Sequence, residues 1–479
     1  MQRSTSPARS SHVAPVALPG IPFAPLRSSV IALSVLTLVN LLNYLDRYVV
    51  SGIVPDLKAP PLGLSDSQIG LLTTAFMLVY MLAAPIFGAL GDRGSRTRPI
   101  AVGVFLWSIA TLVSGFATSY AHLLGARAIV GIGEAAYVSI APALLADSFS
   151  RAQRGRVLSV FNMAIPVGAA LGYIVGGLMS HHFSWRAAFF VAGAPGLLLA
   201  ILVLRVKDPP RGSQDEAEGE GNAARPANAA PDLPTAGAPR AGLPAADRSP
   251  TNTPASGAAR ADRLPAPGPI AIYLGLLKRA PYMLVVLGYA AYTFALGGLA
   301  VWMPNFLERV HNIPAVQATT SFGAIVVVTG FLGTFLGGWL GDYWVKSSRQ
   351  AYLWMSGVIT LVAAPLTFVA LTAASSSVYY PAIIAAELLL FMSTGPINSA
   401  IANMVSPTER ASAFALSMFV IHLLGDVPSP TLIGWLSDLS SLGKAVLIVP
   451  AAIVISGIVW LISARVSGRA SAASLSTQG

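Results

Sequence analysis

The stretch GALGDRGSRTR, residues 88–98, decides the fold because part of it occurs twice in the chain. Four of its residues recur 250 positions later in the same order, namely Gly88, Leu90, Gly91 and Asp92 as Gly338, Leu340, Gly341 and Asp342. Three residues of a second loop recur at an offset of 256, namely Ala146, Ser150 and Arg154 as Ala402, Ser406 and Arg410. Two matched loops in register predict a chain built from two copies of one unit.

The composition predicts that both copies lie in a membrane. Hydrophobic residues make up 54% of the 479 residues and charged residues only 10%, whereas soluble domains carry about 25% charged residues. The mean hydropathy is +0.66. The chain contains no cysteine, so neither disulfides nor thiolate metal ligands are expected.

Twelve apolar segments are long enough to cross about 30 Å of hydrocarbon. They lie near residues 29–53, 68–90, 99–118, 121–145, 156–180, 186–205, 281–304, 318–341, 351–373, 378–404, 411–436 and 443–464. No small-residue cleavage site follows the first segment, so we expect a retained helix rather than a signal peptide. We predict an all-α membrane protein with two pseudo-symmetric six-helix bundles, the architecture of transporters that rock about a central site.

Between the sixth and seventh segments, residues 206–268 have a different composition. They include eleven prolines and the acidic cluster DEAEGEG but almost no large apolar side chains, so they cannot bury enough surface to fold. The predicted organisation is an N-terminal tail, a first bundle, a mostly disordered linker, a second bundle and a C-terminal tail, at residues 1–28, 29–205, 206–280, 281–464 and 465–479.

The basic residues predict the orientation. With both termini in the cytoplasm, 24 of the 30 Lys and Arg residues are cytoplasmic, two lie within segments, and four face outside, namely Lys58, Arg186, Arg309 and Lys444. This distribution follows the positive-inside rule, and it explains the net charge of +10 without a nucleic-acid partner. Twenty-five of the basic residues are Arg and five are Lys, which suggests a GC-rich bacterial genome and hence a bacterial inner membrane.

Several motifs resemble those of known transporters. GALGDRGSRTR is similar to the major facilitator superfamily signature between helices 2 and 3, with Gly94-Ser95 departing from the usual order, and RAIVGIGEA (127–135) is similar to that superfamily's helix 4 motif. Further stretches resemble the Spinster family of lysolipid and sphingolipid-phosphate transporters, namely NYLDRYVVSG (43–52), LSDSQIGLLTTAFMLVYMLAAPIFGALGDR (64–93), GIGEAAYVSIAPALLADSF (131–149), FNMAIPVGAALGYIVGG (161–177) and WRAAFFVAGAPG (185–196). The C-terminal half resembles the family more thinly, chiefly in SPTERASAFALSMFVIHLLGDVPSP (406–430).

The resemblance implies gating residues on the cytoplasmic side. In the superfamily the signature loop looks like a latch that holds the two halves together while the cavity faces outward. Carried over to this chain, Asp92, Arg93 and Arg96 are gating residues. Asp342 keeps the acid of the second copy, although the residues after it depart from the motif.

Two acids and two bases within the segments predict a functional site. Arg127 and Glu134 are spaced i,i+7, and seven residues turn a helix by about 700°, so both side chains leave one face about 10 Å apart. Gly131 between them is expected to leave that face open. Asp46 and Arg47 stand side by side in the first segment, where an unpaired charge costs at least ~2.5 kcal/mol. The pairs that would neutralise them are Asp46 with Arg127 and Arg47 with Glu134.

These residues receive predicted roles. The predicted protonation sites are Asp46 and Glu134, and the predicted substrate-binding residues are Arg47, Arg127, Asn43 and Gly131. The alternative is a static ion-pair staple between the first and fourth helices. The four charged positions correspond to uncharged ones in the second copy, namely Leu296, Gly297, Ile383 and Leu390, so we expect the chemistry in the N-terminal half. The secondary candidates in the C-terminal half are Glu387, His422 and Asp426, for which hydrogen-bonded structural groups are the alternative.

The distribution of glutamine side chains indicates which class of substrate the segments can bind. All seven glutamines lie outside the segments or at their edges, and segments 5 and 8 offer apolar and glycine surface. This suits an acyl chain better than a sugar, whose hydroxyls each need a partner. Together with the resemblance to the Spinster family, this makes a proton-coupled or facilitated transporter of an amphipathic lysolipid or sphingolipid phosphate the leading hypothesis. The alternatives are an organic-anion:proton symporter and a non-transporting membrane sensor.

The hypothesis of a membrane transporter also predicts the partners of the protein. The expected partners are the lipid-like substrate, protons and the bilayer, and the expected state is a monomer. The sequence has no nucleotide-binding loop, metal-ligand cluster or nucleophile arrangement, so we expect no cofactor, no metal and no enzymatic activity.

Overall fold

The computed structural model describes residues 26–149, 151–211, 269–346, 348, 350–406 and 409–476. In this part of the chain twelve helices are long and apolar enough to cross a membrane, as the sequence predicts. In chain order, α1 to α12 are Leu26–Gly52, Asp66–Arg93, Thr97–Ser114, Tyr120–Ser148, Arg151–His182, Trp185–Leu204, Ala280–His311, Ala315–Val345, Ala351–Thr372, Ser376–Asn403, an interrupted α11 within Arg410–Leu439, and Ile448–Ser476. Short helices lie between them at Val54–Lys58, Pro269–Lys278 and Leu442–Ala445.

Serine side chains fix the starts of three helices. Ser65 forms a capping box with Gln68 at the start of α2. Ser119 and Ser184 each accept a backbone N–H at the starts of α4 and α6. Each cap satisfies an N–H group that a helix leaves unpaired at its first turn, so these three helices begin where the sequence places a serine.

The two halves pack in the same way. In the N-terminal half, α2 packs on α4, and α3 packs on α4 and α6; in the C-terminal half, α8 packs on α10, and α9 packs on α10 and α12. Glycines allow the closest approaches. A Cβ atom at Gly103 of α3 would lie 2.6 Å from the carbonyl oxygen of Gly133 on α4, and one at Gly133 would lie as close to the Gly103 carbonyl.

The helix α11 is interrupted near its middle. It consists of Arg410–Ile421, a π-helical turn His422–Asp426, and Pro428–Leu439. Proline has no N–H group and cannot continue the α-helical ladder. Before it, the Val427 N–H donates to the His422 carbonyl five residues back, at 3.1 Å, which is the hydrogen bond of a π turn. The two parts of α11 are therefore separate α-helical segments.

The halves meet along α2 and α11, α5 and α8, and α1 and α7. We call the end of the bundle at Leu204 and Pro269 the linker side and the opposite end the far side. Near the middle of the bundle the Thr74 and Thr431 hydroxyls, on α2 and α11, lie 2.7 Å apart. Toward the linker side, α2 and α11 separate around a cavity of about 510 Å³. The central space therefore opens toward the linker side.

The boundaries differ from the prediction at three places. The helix α1 begins at Leu26, two residues inside the predicted N-terminal tail, whose residues 1–25 lie outside the described part. The predicted linker ends in the helix Pro269–Lys278, which packs on α7 and α11, while its residues 212–268 lie outside the described part. The helix α12 continues to Ser476, because hydropathy reports where the membrane ends and not where the helix ends.

Candidate functional site: a buried charge cluster between α1 and α4

Both ion pairs considered from the sequence are present between α1 and α4. Nη2 of Arg47 lies 2.7 Å from Oε2 of Glu134, with side-chain exposures of 13% and 0%. Nη1 of Arg127 lies 3.3 Å from Oδ2 of Asp46, with exposures of 2% and 1%. The four groups, which we call the charge cluster, have no net charge when ionised, and this pairing offsets much of the cost of placing them in a membrane.

Phe76 of α2 lies between the two guanidinium groups. Its ring centroid is 5.0 Å from Cζ of Arg47 and 5.2 Å from Cζ of Arg127. Arg47 also lies 4.9 Å from the Tyr44 ring and 5.3 Å from the Tyr80 ring. Cation–π contacts contribute about 0.5–2 kcal/mol each, so Arg47 keeps favourable neighbours when its ion pair opens.

Arg47 differs from Arg127 in facing the space between the halves. It lines a cavity of about 60 Å³ together with Tyr48, Thr73, Met77, Gly297, Ala300, Val301, Asp426 and Pro430. Arg127 and Asp46 are almost fully buried inside the N-terminal half. The structure therefore places Arg47, and not Arg127, where a substrate between the halves could contact it.

Asn43 and Gly131 also lie away from that cavity. Asn43 is fully buried, and its amide atoms have no hydrogen-bond partner among the described residues. A Cβ atom at Gly131 would lie 2.5 Å from the Phe76 carbonyl oxygen, so the backbone of α2 fills the face that was expected to be open. Gly131 therefore serves the close packing of α4 on α2, and its role in substrate binding stays a prediction.

The secondary candidates lie in the C-terminal wall. Nδ1 of His422 lies 2.9 Å from Oδ1 of Asp426, and the π turn of α11 contains both residues. Asp426 lines the same small cavity as Arg47. Glu387 is buried on α10. Two of the three candidates therefore form one pair opposite the charge cluster, and Glu387 stands apart from that pair.

The predicted gating loop is described in part. The side chains of Asp92 and Arg93 lie outside the described residues. Arg96 is buried, with Nη1 at 2.5 Å from Oδ2 of Asp147 and Nε at 2.8 Å from Oδ1 of Asp208. Its backbone N–H donates to the second oxygen of Asp208 at 2.7 Å. These described contacts of Arg96 stay within the N-terminal half, in keeping with a central space that is open on the linker side.

The second copy of the loop also bonds within its own half. The Tyr352 hydroxyl donates to Asp342 at 2.8 Å. Nearby, two guanidinium nitrogens of Arg279 donate to the two carboxylate oxygens of Glu409 at 2.8 and 2.7 Å. The Arg279 guanidinium lowers the pKa of Glu409 to about 2, so this pair stays ionised at neutral pH.

The first residues after α6 are fastened to the gating loop. The Pro209 carbonyl accepts from Nη2 of Arg96 at 2.5 Å. Nη2 of Arg211 donates to the carbonyl oxygens of Gly91 at 2.6 Å and Gly94 at 2.9 Å. Residues 206–211 therefore form a strap on the loop, at the start of the linker that was predicted to be mostly disordered. Composition alone missed the strap because its prolines and charges resemble a linker when their partners are unknown.

The strap divides the linker into two parts with different expected effects. Shortening residues 212–268 to about twenty flexible residues, which still reach roughly 25 Å, is expected to leave transport unchanged. Asp208→Asn is expected to lower transport severalfold, because it weakens the ion pair that holds Arg96. Uptake into vesicles measures both effects, with membrane insertion as the control. Loss of transport on shortening, combined with full activity of Asp208→Asn, would contradict this division.

A group of charged residues at the far side received no role from the sequence. The buried Asp66 carboxylate accepts hydrogen bonds from Lys58 at 2.5 Å, Arg309 at 2.8 Å and Ser437 at 2.6 Å. Asp438 accepts the backbone N–H groups of the first two residues of α2 at 2.9 Å each. These five residues, the far-side seal, join α2 to α7 and α11. Their polarity at segment ends was visible in the sequence, but Asp66 and Arg309 are 243 positions apart.

Comparisons with known proteins agree with this architecture. A family model described as Major Facilitator Superfamily matches residues 36–427. Protein spinster homolog 1 of Xenopus laevis is 34% identical over 435 residues, covering 87% of this chain and 74% of that protein. The sphingosine-1-phosphate transporter SPNS2 of Xenopus tropicalis is 33% identical over 468 residues, covering 91% of this chain and 82% of that protein.

A solved structure has the same fold. It is the crystal structure of a bacterial homologue of the human lysosomal transporter Spinster, in an inward-facing and unoccupied conformation. It superposes on this protein with a TM-score of 0.73 at 23% identity, and the match covers 91% of this chain and 97% of that chain. The twelve helices in two similar halves thus form the major facilitator fold, that of a multi-pass membrane transporter and not of an enzyme. Within that superfamily, the chain belongs to the Spinster family.

Proposed function

We propose that this protein is a proton-coupled transporter of an amphipathic lipid phosphate that works by alternating access. The observation that carries the proposal is the position of Arg47. Its guanidinium bonds the buried Glu134 carboxylate on one side and lines the space between the halves on the other. One cation can therefore serve either an internal acid or the anionic group of a substrate.

The proposed coupling is a competition for Arg47. Guanidinium groups bind phosphate oxygens in the same forked geometry as carboxylates. When a phosphate draws Arg47 away, Glu134 loses its partner and takes up a proton more readily, because an unpaired buried carboxylate is unfavourable. Conversely, protonation of Glu134 releases Arg47 for the phosphate. Proton and substrate therefore favour each other's binding.

Asp46 and Arg127 form a second ion pair, which we propose also takes part in proton coupling. Their pair is buried inside the N-terminal half, and both guanidinium groups contact the Phe76 ring. We propose Asp46 as the second protonation site. Arg127 acts on the coupling through Asp46 and Phe76 rather than by touching the substrate in this conformation.

Two observations support a lipid phosphate as the substrate, namely a named relative and the side chains that line the cavity. A relative named as a sphingosine-1-phosphate transporter is similar over 91% of this chain, and the wider cavity is lined mainly by apolar side chains. The competing candidate is a proton-coupled organic-anion symporter. Uptake of monoacyl glycerol phosphates against hexuronates into proteoliposomes, with and without an imposed pH gradient, separates the two. Gradient-dependent uptake of hexuronates alone would overturn the lipid assignment.

The different contacts at the two ends of the bundle support alternating access. The far-side seal joins the halves across α2, α7 and α11, while α2 and α11 are apart toward the linker side. We propose that the halves rock so that the seal opens as the gating loops on the linker side come together. The gating loops contain Asp92, Arg93, Arg96 and Asp342.

We further propose that the protein works as a monomer in a bacterial inner membrane, with the linker side in the cytoplasm. Cysteine at Lys444 is then expected to react with an impermeant maleimide added outside, and cysteine at Lys346 is expected to be protected. The two sites form a matched pair because both are lysines at helix ends in a chain without native cysteine. The reverse labelling pattern would show that the orientation is inverted.

A further inference from the structure

A second cavity follows the seam between α2 and α11 on the linker side. Its volume is about 510 Å³. It is lined by Tyr80, Met81, Ala84 and Pro85 of α2, Val138 and Ser139 of α4, Tyr273 of the helix before α7, and Ala415, Leu416, Met418, Phe419 and His422 of α11. Among these described residues none carries a carboxylate, ammonium or guanidinium group. We call this cavity the seam slot.

The seam slot continues the small cavity at Arg47 by one helical turn on each wall. On α2, Met77 lines the small cavity and Met81 lines the slot. On α11, Asp426 lines the small cavity and His422 lines the slot. A chamber that contains the charged side chains of Arg47 and Asp426 and a chamber lined by uncharged side chains and His422 therefore lie end to end along one seam.

Aromatic and imidazole rings mark the junction between the two chambers. The Tyr80 and His422 rings meet edge to face at 6.3 Å, one from each half of the protein. Tyr80 also lies 5.3 Å from the Arg47 guanidinium, and His422 is bonded to Asp426. A ligand that passes the junction would thus change from a charged surrounding to an apolar one within about one helical turn, roughly 5 Å.

We propose that the seam slot binds the acyl chain of the substrate whose phosphate is held at Arg47, and that the chain reaches the bilayer between α2 and α11. This inference rests on the proposed function and adds the location of the tail. The occupant is an acyl chain because the slot is apolar and begins at the head-group chamber. At its outer end, Met418 and Phe419 are 48% and 44% exposed, so the slot continues into the surface that faces lipid.

The other seam between the halves, α5–α8, is closely packed. A Cβ atom at Gly323 of α8 would lie 3.2 Å from the Ala170 carbonyl oxygen of α5, and one at Gly330 would lie 3.2 Å from Cβ of Pro166. These contacts bring α8 onto α5 as far as the middle of both helices. Helices α2 and α11 also approach closely on the far side, where a Cβ atom at Gly70 would collide with the Pro430 carbonyl oxygen. Toward the linker side, however, their seam contains the slot, through which a chain can leave the central space.

The first test fills the seam slot. Ala84→Trp is expected to raise the KM for a long-chain monoacyl glycerol phosphate at least tenfold and to leave the KM for a short-chain monoacyl glycerol phosphate unchanged. The reason is that each methylene group excluded from the slot lowers the affinity roughly fourfold. The matched control is Leu82→Trp, two residues away on the same helix and exposed on the bundle surface. Equal effects of Ala84→Trp on both substrates, or a chain-length shift in the control, would overturn the inference.

The second test does not depend on transport. Met418→Cys lines the seam slot, and Leu424→Cys is an exposed control on the same helix. Long-chain monoacyl glycerol phosphate is expected to slow maleimide labelling at position 418 at least fivefold, to affect position 424 little, and to protect more than the short-chain probe. Protection at 418 without any uptake would retain the slot and reject the proposed function. Uptake without protection would reject the slot and retain the function.

Discussion

Asp66→Ala is expected to open the far side of the transporter. The Asp66 carboxylate accepts hydrogen bonds from three side chains, and those from Arg309 and Ser437 reach across from the other half. Removing one partner of a buried ion pair costs about 3–5 kcal/mol. Arg309 and Lys58 are each about one-third exposed, so we expect the closed conformation to lose a smaller free energy, about 2 kcal/mol. That energy changes the ratio of the two conformations roughly 30-fold.

The measurement is the reactivity of a cysteine at Thr73, which lines the central cavity, toward an impermeant maleimide added from the far side. Asp66→Ala is expected to increase that reactivity strongly. Asp56→Ala is the matched control, because Asp56 lies on the same side but bonds Ser180 of its own half. Unchanged reactivity in Asp66→Ala, or an equal increase in both variants, would show that these bonds do not hold the far side closed.

Arg47→Ala is expected to reduce transport at least ~100-fold, because it removes the proposed phosphate ligand and leaves the buried Glu134 carboxylate without its partner, a loss of about 3–5 kcal/mol. Glu134→Gln is expected to act in the opposite way. It resembles the protonated acid and leaves Arg47 free, so substrate binding is retained while the rate changes less with pH, through the remaining protonation site Asp46. Initial uptake rates across a pH series, together with equilibrium binding, measure both effects.

Arg127→Ala separates the two ion pairs. Arg127 is buried behind Arg47 and pairs with Asp46, so its loss is expected to destabilise the N-terminal half more than it weakens substrate affinity. If Glu134→Gln and Asp46→Asn both kept the wild-type pH profile, the charge cluster would be a static staple between α1 and α4. The amount of folded protein in detergent, measured for every variant, distinguishes loss of function from loss of fold.

Some of this arrangement is predictable from the sequence because it depends on short-range periodicity. The i,i+7 spacing of Arg127 and Glu134 places both on one face of α4, and the charge balance then favours pairing with α1; both pairs are present. The i,i+4 pair of His422 and Asp426 follows from the same reasoning. The twelve segments and their duplication were equally visible, because a membrane requires long apolar helices.

Other features depend on how the helices meet in space. Which arginine faces the cavity is decided by the packing of α2 against α4, where the Phe76 backbone covers Gly131. The far-side seal needs the docking of one half on the other, and no local pattern relates Asp66 to Arg309. The strap at residues 206–211 was missed for a third reason, since its composition is that of a linker although Arg96 and the carbonyls of the gating loop hold it in place.

The π turn in α11 has a consequence for the order of events in a transport cycle. Beyond the turn, Pro428–Leu439 carries Ser437 and Asp438 of the far-side seal. Before it, Arg410–Ile421 lines the seam slot. A break in the regular hydrogen-bond ladder is a site where a helix can bend, so the far part of α11 can leave α2 while the near part keeps its place. For the proposed lipid-phosphate substrate, release of the polar head to the far side and withdrawal of the chain from the membrane can then occur as two successive steps, each with its own barrier.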